Sequence, residues 1–215
     1  MNNTFIQPTD NFEDFVKDIC SFCQNNNHEQ HPLKKVTDFC KKKPKGLCLE
    51  FGVYKGESVN YIAEQLPQYI IFGFDSFQGL PEDWVDKYTK GSFDTKGTKP
   101  IVKQNVALIE GFFNQTLPEW INNHPEHNHI DLLHIDSDLY SSAKTILNLC
   151  KHMISDETLI VFDELINYKG FEQHEIKALY EFCKETNRNT NIFCFGGHHK
   201  QKVAVFVKSI ITTNY

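Results

Sequence analysis

The chain lacks any apolar run long enough to cross a bilayer. Near its end the longest aliphatic or aromatic stretch is Leu159-Ile160-Val161-Phe162, against the roughly 20 residues that a spanning helix needs. The opening residues, Met1 to Pro8, carry neither the positive start nor the apolar segment of a secretory signal. Positive charge is also short: 22 Lys and Arg stand against 28 Asp and Glu, a formal net charge of −6. A protein that grips a phosphate backbone needs the opposite field. The only basic cluster, Lys41-Lys42-Lys43-Pro44-Lys45, reads as a solvated loop before the first core strand. Neither nucleic acid nor membrane is an expected partner. The seven cysteines are odd in number and lie largely in apolar segments, as reduced thiols do in a cytoplasmic protein. Met and Trp occur only twice each while Phe occurs 18 times, which predicts an aromatic core.

What is present is a change of period along the chain. Residues 11–23 place apolar side chains at 12, 15, 16, 19, 22 and 23, a helical stripe that offers a contact for a homodimer. A linker rich in His, Lys and Pro follows to Lys45. From Leu47 short apolar runs alternate with amphipathic segments, the signature of repeated βα units and a parallel sheet. The pattern predicts strands at 47–51, 70–75, 105–110, 130–136 and 158–163, and helices at 57–66, 113–122, 139–153 and 171–187. Two further runs, 191–195 and 202–207, flank Gly196-Gly197-His198-His199 and read as a terminal antiparallel hairpin. The expected class is α/β: a doubly wound, mostly parallel seven-stranded sheet. Residues 1–45 form a helical N-terminal extension or lid, and residues 46–215 the ligand-binding domain. Residues 81–103, with Pro81, Gly91, Gly97 and Pro100, break the alternation and predict a long loop of the lid or binding kind.

In open α/β sheets ligands bind beyond the carboxyl ends of the strands, so polar residues there carry the functional information. The first core strand ends in Glu50-Phe51-Gly52-Val53-Tyr54-Lys55-Gly56-Glu57-Ser58. Its two glycines let the backbone approach a ligand, and the helix start favours an anionic group such as a carboxylate. The second strand ends in Asp75, which is placed to accept hydrogen bonds from the ribose of a nucleoside cofactor. The G-x-G-x-x-G fingerprint of nicotinamide dinucleotides is absent. The fourth and fifth strands end in Asp136-Ser137-Asp138 and Asp163-Glu164. Carboxylates crowded at one pole either bind a hard cation such as Mg²⁺, Mn²⁺ or Ca²⁺, or cap the helices that follow. Cys20-x-x-Cys23-x₄-His28-x-x-His31 has the residue types of a zinc site, but the gap is too short for a finger and both Cys lie on the apolar stripe. Buried thiols are the expectation. His198-His199 sits in the hairpin loop, either as a surface pair or within reach of the pole. His124, His127 and His129 fall at the opposite pole, where they read as solvated.

The motifs Glu50-Phe51-Gly52-Val53-Tyr54-Lys55-Gly56 and Gly73-Phe74-Asp75-Ser76-Phe77-Gln78-Gly79-Leu80-Pro81 resemble those of the macrocin O-methyltransferase (TylF-like) family. So do Glu110-Gly111-Phe112-Phe113 with Thr116-Leu117-Pro118, His134-Ile135-Asp136-Ser137-Asp138-Leu139-Tyr140, and Val161-Phe162-Asp163-Glu164 followed by Gly170 and Glu175-x-Lys177-Ala178. The resemblance runs in order over residues 45–207. It implies a Rossmann-like methyltransferase fold, S-adenosylmethionine as methyl donor, and Mg²⁺ or another divalent cation as cofactor. By position, Glu50, Phe51, Gly52, Gly56 and Ser58 would surround the methionine part of the donor. Asp75 and Ser76 would hold its ribose, and Gly111 and Phe112 would border its adenine. Asp136 would lie beside the donor, and Asp136, Asp163 and Glu164 match the metal positions. Glu164 departs from the family, whose metal-dependent members usually carry a second Asp there. Asp136, Asp138 and His199 are the catalytic candidates, with Asp138, Glu164 and His199 considered as general base. The implied reaction is metal-assisted O-methylation of a hydroxyl on a small molecule or sugar. The alternatives are a metal-independent methyltransferase with another acceptor, and a donor-binding module without turnover.

Overall fold

The computed structural model describes residues 5–26, 31–43, 45–85 and 87–210. A two-residue strand β1 (Phe5–Ile6) precedes helices α1 (Phe12–Asn25) and α2 (Pro32–Cys40). The βα alternation then runs β2 (Gly46–Phe51), α3 (Glu57–Gln65), β3 (Tyr69–Asp75), β4 (Val106–Glu110), α4 (Phe113–Asn123), β5 (Leu132–Ile135), α5 (Tyr140–Cys150) and β6 (Leu159–Phe162). Helix α6 (Glu175–Thr186) leads into the hairpin of β7 (Arg188–Gly196) and β8 (Lys202–Ser209). The strands form one eight-stranded sheet in the order β1-β7-β8-β6-β5-β2-β3-β4. Strands β2 to β6 pair in parallel, and β8 enters antiparallel between β6 and β7.

The seven expected strands are all present. The eighth, β1, pairs antiparallel with the outer edge of β7 through Phe5 and Ile6, too few residues to leave a periodic signal. The supposed linker before Lys45 contains α2. Its stripe of Leu33, Val36 and Cys40 is buried, and Pro32 opens the helix at a position where its missing N–H costs nothing.

Strand alternation divides the interior into two cores. Leu47, Leu49 and Phe51 of β2 face α1, α4, α5 and α6, while Cys48 faces α2 and α3. The first core is rich in Phe, with Phe51 stacked on Phe74 at 4.7 Å between centroids and edge-on to Phe113 at 5.2 Å. The apolar face of α1, expected to offer a dimer contact, is covered within the chain: Phe12 and Phe15 pack on Tyr180 of α6. Cys20 and Cys23 lie in α1, where burial pushes the Cys23 thiol up to about 12. His28, the third member of that spacing, lies outside the described residues. His124 and His127 are half-buried rather than solvated, stacked on Trp120 at 5.0 and 5.9 Å. No described helix is long and apolar enough to cross a membrane.

At Gly52 the sheet meets the loops that follow β2 and β5. Its φ is +95°, and a Cβ there would lie 1.8 Å from the carbonyl oxygen of Asp136. The glycine is required by contact with the neighbouring loop, where the motif alone suggested contact with a ligand. Gly52→Ala combines a left-handed φ with a backbone clash, so a loss on the order of 3 kcal/mol is expected. Urea denaturation followed by circular dichroism measures it, and an unchanged midpoint would contradict this account.

Candidate active site

Register builds the site. Glu50 of β2 pairs directly with His134 of β5. β6 lies next to β5 and is followed at once by Asp163, and β8 on its other side opens with Lys202. Alternation turns all four side chains toward the α2–α3 face. Lys202, Asp163, His134 and Glu50 therefore form a row of alternating charge across four adjacent strands. His134 Nδ1 lies 3.0 Å from Glu50 Oε2, and its Nε2 faces Asp163 Oδ1 at 3.5 Å, charge to charge without a tight hydrogen bond. Lys202 Nζ pairs with Asp163 Oδ2. At the far end Ser58 Oγ donates to Glu50 Oε1 at 2.9 Å. Glu50 and His134 are fully buried.

Burial alone would strip His134 of its proton, but pairing with Asp163 and Glu50 outweighs it and raises the imidazole to about 10. Burial likewise favours a neutral Asp163, yet His134 and Lys202 hold that carboxyl well below its ordinary range. The two carboxylates therefore favour the imidazolium form of His134.

Beside these strand ends stand Asp136, Asp138, Glu164 and Glu175. The ligand atoms of Asp136, Asp138 and Glu164 lie within 4.8 Å of one another. A second convergent group joins Asp136 to His134 and Asp163. Burial, then the charge of Asp163, pushes Asp136 well above the usual carboxylate range and Asp138 up to about 7. Glu164 is raised by burial and by Asp163, Asp136 and Asp138, and Glu175 by burial and the same neighbours led by Asp138. Glu164 N donates to Glu175 Oε2 at 3.3 Å, while Glu164 Oε2 and Glu175 Oε1 are buried without a partner. Asp138 sits in a left-handed turn at φ +61°. Of the three residues expected at a metal, Asp136 belongs to both convergent groups, Glu164 to the one with Asp138, and Asp163 to the one with His134, where it also pairs with Lys202.

A cleft of about 900 Å³ opens over this acidic group. Gly52, Tyr54, Asp75, Ser76, Phe112 and Asp136 line one half. Trp84, Tyr168, Ser141, Glu164, His199 and Gln201 line the other. The loop after β3 forms a wall through Pro81, Trp84, Tyr88 and Phe93. Its own contacts hold that loop in place: a Gln78–Asp94 bridge, Leu80 N on Ser92 O at 2.9 Å, and stacking of Tyr88 on Phe93. A second cavity of about 590 Å³ shares Tyr54 and Asp136 with the cleft and reaches Ser58, Lys55, Asp163, Lys202, His31 and Leu33.

Asp75 is the hinge of the cofactor half. Its Oδ2 accepts the amides of Val53 and Tyr54 at 2.8 and 2.7 Å, and Oδ1 accepts the amide of Phe77 at 2.7 Å. One acceptor position on Oδ1 remains. Glu50, Phe51, Gly56 and Gly111 line neither cavity; they shape the loops from behind, Gly56 by leaving room for Pro100 and Gly111 for Thr116. His199 is exposed at the cleft rim. His134, Glu175 and Lys202 fall within sequence motifs or strands that assign them no role, and nothing local in the sequence marks Trp84 or Tyr168. A charged residue placed inside an apolar strand, as His134 is, was the available signal.

The pH dependence of stability follows with a definite sign. His134 is raised from 6.5 to about 10, so its contribution is full below about pH 6.5 and is lost as pH rises through 10. Asp138, raised from 3.8 to about 7, contributes below about pH 4 and loses that contribution as pH rises through 7. Denaturation in EDTA should therefore show stability falling steadily from pH 5 to pH 10, whereas a maximum near pH 8 or 9 would contradict the assignment.

The comparisons agree with this geometry. The profile of the family described as "Methyltransferase domain" matches residues 49–165, more than half of the chain. No curated protein sequence matches. Among solved structures the chain resembles the calicheamicin methyltransferase CalS11, at 20% identity over 92% of this chain and 86% of that one, with a TM-score of 0.67. It also resembles the O-methyltransferase NovP, at 17% identity over 83% and 80% with a TM-score of 0.59. The methyltransferase MycE from the mycinamycin biosynthetic pathway, in complex with Mg and SAH, gives 14% identity over 85% of this chain and 50% of that one, with a TM-score of 0.52. The fold is that of S-adenosylmethionine-dependent methyltransferases, and the chain, an enzyme of that class, belongs to the methyltransferase domain family.

Proposed function

We propose that this chain is a divalent-metal-assisted O-methyltransferase acting on a hydroxyl of a small, sugar-like acceptor, in the manner of the macrocin O-methyltransferase (TylF-like) family. The observation that carries the reading is a single cleft in which Gly52, Asp75 and Phe112 face the convergent carboxylates Asp136, Asp138 and Glu164.

S-adenosylmethionine supplies a methyl group already activated as a sulfonium. Asp75 Oδ1 and Ser76 would take the ribose and Phe112 would border the adenine. The methionine part would extend past Tyr54 toward Ser58 in the second cavity, with Glu50 holding Ser58 from behind. The acceptor oxygen bonds to the methyl carbon as the carbon–sulfur bond breaks, which requires alignment at roughly 3–3.5 Å. Trp84 and Tyr168, packed edge-on, give the acceptor half an aromatic wall, and Ser141 and Gln201 give it hydrogen-bonding edges. This mixture suits a hydroxylated ring.

The donor set fits a hard cation: three carboxylates in reach of one point, one of them with a buried unpartnered oxygen. Asp136, Asp138 and Glu164 would hold it. A divalent ion so bound lowers the pKa of an acceptor hydroxyl. The acceptor proton would pass to Asp138 or, at the cleft rim, to His199. Residues 31–34 and the loop after β3 would exclude water as parts of a lid, residues 1–45 serving as an extension to the domain of 46–215. A metal-independent reading draws on the Lys202–Asp163 pair, which already places one cation at this pole.

Calorimetry with S-adenosylhomocysteine should show micromolar binding to the wild type, weakened at least tenfold in Asp75→Asn, which keeps the side-chain shape; equal affinities would sink the donor assignment. With labelled S-adenosylmethionine and a panel of free and nucleotide-linked sugars, label transfer should require Mg²⁺ or Mn²⁺ and fall at least 100-fold in Asp136→Asn. Undiminished transfer in EDTA would favour the metal-independent reading.

A further inference from the structure

Lys202 has no part in the mechanism above, yet its placement is built in detail. It opens β8 opposite Gly196, and its stem runs over Gly197, where a Cβ would lie 2.9 Å from Lys202 Cδ and 3.0 Å from Cγ. The φ of +75° at Gly197 belongs to the same turn. So positioned, the side chain is largely buried and its ammonium pairs with Asp163. Asp163 is the one carboxylate at this pole that meets a cation on each oxygen, His134 on Oδ1 and Lys202 on Oδ2. Asp138 and Glu164 lie further into the cleft, and Asp136 stands between the two groups, with an oxygen within 4.8 Å of ligand atoms of His134 and Asp163 as well as of Asp138 and Glu164.

We propose that Lys202 decides which carboxylates of this pole are open to a divalent cation and how tightly the cation is held: by occupying Asp163 it confines the ion to Asp136, Asp138 and Glu164. The proposal rests on the metal-assisted reading and deepens it. Two physical effects act in the same direction. Lys202 denies the ion a fourth carboxylate, and its own charge repels a dication at a separation where the effective dielectric is about 20 rather than 80. The lysine would thus keep affinity low and the ion exchangeable, in contrast to a site in which Asp163 is itself a ligand.

The test is a Mn²⁺ titration of the full chain followed by the electron paramagnetic resonance signal of free Mn²⁺, for the wild type, Lys202→Met and Lys202→Arg. Lys202→Gln stands in if the Met variant fails to fold. The neutral variant should bind Mn²⁺ at least tenfold more tightly than the wild type, with Lys202→Arg close to the wild type. Binding by the neutral variant alone would support the proposal in its strongest form. Equal or weaker binding by the neutral variant would overturn it while leaving the metal site intact, and absence of binding in every folded variant would overturn both. Calorimetry with S-adenosylhomocysteine on the same samples reports separately on the donor site. A neutral variant that loses donor affinity and leaves Mn²⁺ affinity unchanged would assign Lys202 to the donor instead.

Discussion

Everything at the functional pole is organised by the buried imidazolium of His134. A fully buried cation costs several kcal/mol unless paired, and here it is paired on both ring nitrogens by carboxylates delivered from neighbouring strands, Glu50 and Asp163. The parallel register of β2, β5 and β6 makes this possible, because it sets residues one strand apart side by side on the same face. Lys202 and Ser58 close the two ends of the row. The result is a rigid charged beam across four strands, immediately beneath the loops that form the cleft.

That beam separates two kinds of carboxylate. Glu50 and Asp163, on it, are paired with protein cations. Those just beyond it, on the loops after β5 and β6 and at the start of α6, are crowded together. The raised values at Asp136, Asp138, Glu164 and Glu175 come first from burial and then from the charges of neighbouring carboxylates. Glu164 stands among these carboxylates on a loop, and its own amide donates to Glu175.

Much of the fold was legible because each strand from β2 to β6 is a short apolar run bounded by a turn and a helix. The hairpin of β7 and β8 declared itself by the glycine pair between two runs. What escaped did so for physical reasons. β1 is two residues long. α2 begins with Pro32 and carries lysines on its outer face, so its apolar stripe of Leu33, Val36 and Cys40 is masked in a segment that reads as a linker. In the site, Asp75, Asp136, Asp138 and Glu164 were recognisable as acidic ends of strands, since topology alone brings such ends together. Lys202 was not, because its partner depends on β8 lying antiparallel beside β6, a pairing that local sequence does not specify. The same pairing sets Lys202 against Asp163, one of the three residues that the family resemblance implied as metal ligands. Gly52 was identified as special, but its reason, contact with the Asp136 carbonyl, is a tertiary one.

The account stands or falls on the charge of His134. Nitrogen-15 spectroscopy of imidazole-labelled protein, with His134→Gln to assign the resonance, reads that charge directly. Both ring nitrogens of His134 should remain protonated at pH 8. A His134 ring carrying a single proton at pH 8 would contradict the charged row, and with it the explanation of how this pole is held together.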